Sequence, residues 1–195
     1  MSLIIPANTL ASGGFAVDNS CRFNDGSSDS LSRTVSSASN QRTWTVSMWF
    51  KRSALGTFYS LIGSDATSVN SGYSVSLCLF ADNKIGFLVG DVNYLISNQL
   101  LRDTSAWYHV VLAVDTTSGT ANNRVRIYLN GLEITSFGTR NNPSVNHQFP
   151  WNLNVNHSIG ADFPNSGLRS FFDGYIAEVV SIDGQQLAPT DFGEF

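Results

Sequence analysis

Thr43-Trp44-Thr45-Val46-Ser47-Met48-Trp49-Phe50-Lys51-Arg52 is the stretch that decides the fold. Trp44, Val46, Met48 and Phe50 fall on one face, and Thr45, Ser47, Trp49 and Lys51 on the other. A period of two marks a strand with one side in a core. The pattern recurs along the chain. Residues 73–80 set Tyr, Val, Leu and Leu against Ser, Ser, Cys and Phe. In 124–129, Arg124, Arg126 and Tyr128 alternate with Val125, Ile127 and Leu129. In 171–183, Tyr175, Ala177 and Val179 oppose Ile176, Glu178, Val180 and Ile182. Residues 107–114 are apolar on both sides, which suits a strand in the middle of a sandwich. Shorter runs at 15–23, 58–62, 84–89 and 94–97 bring the expectation to ten strands or more.

Turn chemistry agrees with the pattern. Asn130-Gly131 separates Ile127-Tyr128-Leu129 from Leu132-Glu133-Ile134, a strong hairpin signal because both turn residues take positive φ. Asp82-Asn83 reads as a second hairpin turn and Asp183-Gly184 as a third turn. No window carries a 3.6-residue stripe; the best helical candidate is one short turn in 187–192, which Pro189 can begin. The Ser-rich stretches 27–32 and 36–39 read as loops. Strands joined by hairpins without intervening helices predict an all-β sandwich or barrel, and the 195 residues read as a single domain, 1–195.

Composition narrows the function. Charged residues make up 13% of the chain, against roughly 25% in ordinary globular domains, so Ser, Thr, Asn and Gly supply the polar surface. That is the surface of extracellular or particle-borne β proteins. The net charge is -4 and the only lysines are Lys51 and Lys84, which argues against nucleic acid, since phosphates call for clustered cations. Cys21 and Cys78 read as buried small hydrophobes, with a single bridge between them as the alternative. No apolar run approaches the ~20 residues of a membrane helix. Pro6 breaks the apolar start and no basic stretch precedes it, so no signal peptide is expected.

Catalysis finds little support. A glycosidase needs two carboxylates flanking the sugar bond. The glutamates are Glu133, Glu178 and Glu194, and Glu178 has no acidic residue two positions away. No Gly-x-Ser-x-Gly elbow occurs, and His109, inside the most apolar strand, reads as a structural imidazole. His147 and His157 read as solvated. The expectation is a protein that binds and does not catalyse. For contact with a ligand or partner, the loop 139–154 stands out, with Arg140, Asn141, Asn142, His147, Gln148, Phe149 and Trp151. Amides and flat rings suit a glycan, Trp and Arg equally suit a protein interface, and Phe149 and Trp151 folded inward would plug the core. All three readings are open. Trp44, Trp49 and Trp107 read as core or sheet-face packing.

Four blocks of the sequence resemble laminin G-like domains of the concanavalin A-like class. They are 20–26 with 31–34, then 42–52, then 107–111 with 126–131, and last 158–160 with 172–179. The resemblance implies a jelly-roll sandwich of two antiparallel sheets. It also implies calcium at the sandwich rim, for which Asp115, Asn123 and Asp162 are the candidate ligands; the other reading is that the aspartates brace turns. The phrases at 8–13, 19–20, 36–45 and 182–193 are similar to laminin G-like proteins of tailed, marine-type bacteriophages. That likeness implies a virion protein made in the host cytoplasm, a head decoration or fibre or a tail-fibre component. Its partners would be other virion proteins, further copies of itself (a trimer by analogy), and in a lectin-like alternative a bacterial surface glycan. An N-terminal arm is expected at 1–14.

Overall fold

The alternation at 43–52 becomes one of the two longest strands in the computed structural model, which describes residues 19–65, 74–163 and 169–193. Its strands are β1 (Cys21–Phe23), β2 (Leu31–Thr34), β3 (Thr43–Arg52), β4 (Tyr59–Ser64), β5 (Val75–Leu79), β6 (Lys84–Val89) and β7 (Val92–Leu100). They continue as β8 (Tyr108–Asp115), β9 (Val125–Leu129), β10 (Leu132–Glu133), β11 (Phe137–Arg140), β12 (Asn156–Ile159) and β13 (Gly174–Asp183). A front sheet of six strands runs β1-β13-β3-β8-β9-β10, and a back sheet of seven runs β11-β7-β6-β5-β4-β12-β2. Every pairing is antiparallel. The fold is therefore the expected jelly-roll sandwich. The expected arm at 1–14 lies outside the described residues.

Trp44, Val46, Met48 and Phe50 are all buried between the sheets, as their alternation requires. Trp44 of the front sheet meets Phe87 of the back sheet edge-on at 6.2 Å. Asn130 and Gly131 take φ of 49° and 81°, the backbone that joins β9 to β10 in two residues. The terminal helical turn is a single 3-10 turn over Pro189–Asp191.

Three expectations change. Strict alternation fails in β13, where a bulge between Ala177 and Val180 inserts a residue and Glu178 takes φ 50°. Tyr175, Ala177, Val180 and Ile182 consequently pair with Lys51, Trp49, Ser47 and Thr45 on the outer face, and Val179 turns toward the core. Cys21 is exposed on edge strand β1 while Cys78 is buried in the back sheet, and both are free thiols. β2 begins inside the expected loop 27–32, and β11 ends inside the expected loop 139–154.

Candidate functional site

The outer face of the front sheet is built from Thr45, Ser47, Trp49 and Lys51, flanked by residues of β8 and β13. Its lower half is covered by the segment that follows β13. Thr45 Oγ1 donates to the Gln185 carbonyl at 2.7 Å and accepts from the Leu187 amide at 2.9 Å. Gln186 Nε2 donates to the Asn123 carbonyl at 2.8 Å, and the Asp191 carboxylate accepts from the Ala188 amide at 2.8 Å. Between this strap and the bare half of the sheet runs an open groove of ≈ 500 Å³, bordered by Ser47, Trp49, His109, Glu178, Asp191 and Phe192.

Beyond the groove the face turns aromatic and open. Trp107 is 37% exposed and Tyr175 38%, with ring centroids 6.5 Å apart at 59°. Lys51 is the register partner of Tyr175 on β3, the strand that lies between β13 and β8. Arg22 stands over the Tyr175 ring at 5.3 Å, held by Asp173 at 2.7 Å. Trp49, half-buried, lies on the His109 ring at 4.9 Å. Flat rings offer a surface to sugar C–H groups, and the ammonium, guanidinium and Glu178 carboxylate offer partners to hydroxyls.

His109 stays structural. Its Nε2 meets Ser47 Oγ at 2.8 Å, and both residues are 2% exposed at the edge of the groove. Burial pushes the imidazole pKa down to about 4, which keeps the ring neutral. Of the acids that border the groove, Glu178 is exposed on its bulge and Asp191 caps its own turn. Glu133 stands 3.9 Å from Arg126.

The loop 139–154 is drawn into the molecule. Phe149 is 0% exposed and Trp151 5%, so they do not face a partner. Trp151 stacks on Trp44 at 5.4 Å, and Phe149 packs edge-on against Phe87 at 5.2 Å and Tyr94 at 5.1 Å. They plug the core, because burying two large rings outweighs leaving them wet. His147 is half-buried against Phe149 at 4.7 Å, and burial lowers its pKa. His157, also expected to be solvated, lies edge-on to Trp151 at 4.7 Å. Arg140 donates to the Asn122 carbonyl at 2.6 Å and stacks over Phe137 at 4.8 Å. Asn142 donates to Asn122 Oδ1 at 2.8 Å, and Asn141 to the Asn93 carbonyl at 2.8 Å. These polar groups brace the loop.

The three candidate calcium ligands are not brought together. Asp115 ends β8 in the front sheet, where Oδ1 accepts from the Thr117 hydroxyl at 2.6 Å and amide at 3.0 Å. Asn123 Oδ1 accepts from Arg126 at 2.6 Å. Asp162 belongs to the opposite sheet, where Ser76 and Ser170 reach its carboxylate. Among the described residues no group of three or more His, Cys, Asp or Glu side chains is placed to hold a metal, and no helix is long and apolar enough to cross a membrane.

Reading by residue type missed Trp107 and Tyr175 as surface groups. The register that sets Tyr175 beside Lys51, and the 6.5 Å approach of the two rings, join positions far apart in the chain.

A profile described as the concanavalin A-like lectin/glucanases superfamily matches residues 25–185. No curated protein sequence matches the chain. Among solved structures, the heptameric SAP-like pentraxin from Limulus polyphemus superposes with a TM-score of 0.59 at 15% identity, over 92% of this chain and 77% of that one. Domain 4 of AbnA, a GH43 extracellular arabinanase from Geobacillus stearothermophilus solved in complex with arabinotriose, gives 0.60 at 21%, over 93% and 86%. The CBM40 of Ruminococcus gnavus IT-sialidase, bound to α2,3 sialyllactose, gives 0.56 at 15%, over 84% and 96%. At these identities the likeness is one of fold.

Proposed function

The chain belongs to the concanavalin A-like lectin/glucanases superfamily, and from that premise we propose that it is a lectin-like module that binds saccharide without cleaving it. The observation that carries the reading is the exposed Trp107–Tyr175 pair, with Arg22 over the Tyr175 ring and the groove on the same sheet face. Two structural relatives were solved with oligosaccharides, which supports the ligand class.

The test is a glycan array followed by calorimetry on the glycan retained. Trp107→Ala and Tyr175→Ala are each expected to weaken binding about tenfold or more, as truncated aromatic anchors do, with Tm unchanged. Undiminished binding in both variants would sink the proposal. Product released from the bound glycan, and abolished in Glu178→Gln, would instead make the groove a hydrolase site. Chelation with EDTA is expected to leave binding intact, because Asp115 and Asn123 already hold hydrogen-bond donors; loss on chelation would restore calcium to the account.

A second reading concerns where the module works. The phrases at 8–13 and 182–193 favour a phage particle, in which the sandwich docks on other virion proteins, in several copies, as a head decoration or tail-fibre component. Electron microscopy of the source particle tests this: density for the sandwich in the capsid lattice or on a fibre supports it, and a particle without the protein overturns it.

A further inference from the structure

Among the described residues, a cleft runs along the margin between β2 and β13. β1 pairs with β13 over Gly174–Ile176, and among the described residues no strand pairs with that edge of β13 beyond Ile176. Opposite it, β2 is the last strand of the back sheet. The cleft between them measures ≈ 470 Å³, within the range of roughly 300–1,000 Å³ that small-molecule pockets occupy. Leu31, Val46, Ile62, Ile159 and Val179 make its walls aliphatic.

Ser32, Arg33, Asn152, His157, Ser158 and Ser181 share that lining, and the Trp151 indole joins them. Arg33 pairs with His157 as Leu31 pairs with Ile159, which puts both β2 side chains on the inner face of the strand. Arg33 is exposed, and among the described residues no acid pairs with it. Trp151, only 5% exposed, also borders the cleft, and its Nε1–H is buried without a hydrogen bond. His157 adds no charge. Its Nδ1 meets the Val155 carbonyl at 3.0 Å, its Nε2 accepts from the Asn152 amide at 3.3 Å, and burial lowers its pKa.

We infer that this margin binds a small amphipathic molecule with an aliphatic chain and a carboxylate head. The chain lies against Ile62, Ile159 and Val179, and the carboxylate meets the planar fork of Arg33, whose donors match two carboxylate oxygens. The inference stands apart from the saccharide reading and uses none of its residues.

The experiment titrates the full chain with dodecanoate below its micelle concentration, and with dodecanol as the neutral-headed control, by calorimetry. Saturable single-site binding is expected for dodecanoate, about tenfold or more weaker for the alcohol and in Arg33→Glu, with unliganded Tm unchanged. Nuclear Overhauser contacts from the chain methylenes to the Ile62 and Val179 methyls locate the ligand. Equal affinity for acid and alcohol, or contacts elsewhere, overturns the proposal. So does an Arg33→Glu variant that self-associates while binding dodecanoate normally, since Arg33 would then only guard the strand edge.

Discussion

Asp162 is 5% exposed beneath the turn after β12, with Oδ1 buried and unbonded, and burial raises its pKa from 3.8 to about 6. The folded state thus favours the protonated acid. Its contribution is complete below about pH 4 and is lost as pH rises through about 6, a difference of about 2–3 kcal/mol. His109, held down at about 4, acts with the opposite sign: its contribution is complete above about pH 6.5 and is lost as pH falls toward 4. The two slopes oppose each other, so stability from pH 4 to 6.5 is expected to be nearly level. Asp162→Asn removes one of them, and urea unfolding of the variant should show stability climbing more steeply with pH than in the parent; parallel profiles would refute this. Phe149→Ala is expected to cost about 3–5 kcal/mol in the same measurement, as for other fully buried rings. A loss below 1 kcal/mol would mean that the ring does not plug the core. Sequence left Phe149 and Trp151 open among three roles because an aromatic in a loop looks alike whether it turns in or out. What turned them in is Trp44 and Phe87, distant in the chain and invisible to local pattern.

At the scale of elements, the sequence pattern was a sufficient guide for strands that are half in the core and free of bulges. β3 and β6 run over the residues that the alternation marked, Thr43–Arg52 and Lys84–Val89. β2 and β11 escaped notice because four-residue edge strands with little buried surface carry no hydrophobic phase. The shift of phase in β13 was equally hidden, since alternation cannot show which residue of a bulge is the extra one. Gly174 opens that strand against β3, where an added Cβ would lie 2.1 Å from the Lys51 carbonyl oxygen and 2.7 Å from the Phe172 ring. Gly174→Ala is therefore expected to push β13 away from β3 and destabilise by about 1–3 kcal/mol. Hydrogen exchange should quicken first at the amides of β1 and β13; unchanged protection there would count against this account of the glycine.

Over the whole molecule, stability rests on burial more than on charge. The described residues form three ion pairs, Arg22–Asp173, Lys84–Asp82 and Arg126–Glu133, all at partly exposed positions. Such pairs contribute little and are screened by salt. Raising sodium chloride to about 0.5 M is expected to move Tm by no more than about 2 °C, and a larger drop would reveal an electrostatic network that the geometry does not contain. The placement of the tryptophans has an optical consequence. Trp44 and Trp151 stack in the interior, whereas Trp107 stands at the surface. The inner pair should emit at short wavelength and share excitation, shifting red only when the chain unfolds. The outer indole is open to a collisional quencher such as iodide, and any sugar resting on it becomes a shield. With Trp49 half-buried beside the groove, the stacked pair reports on integrity and the surface indole on occupancy.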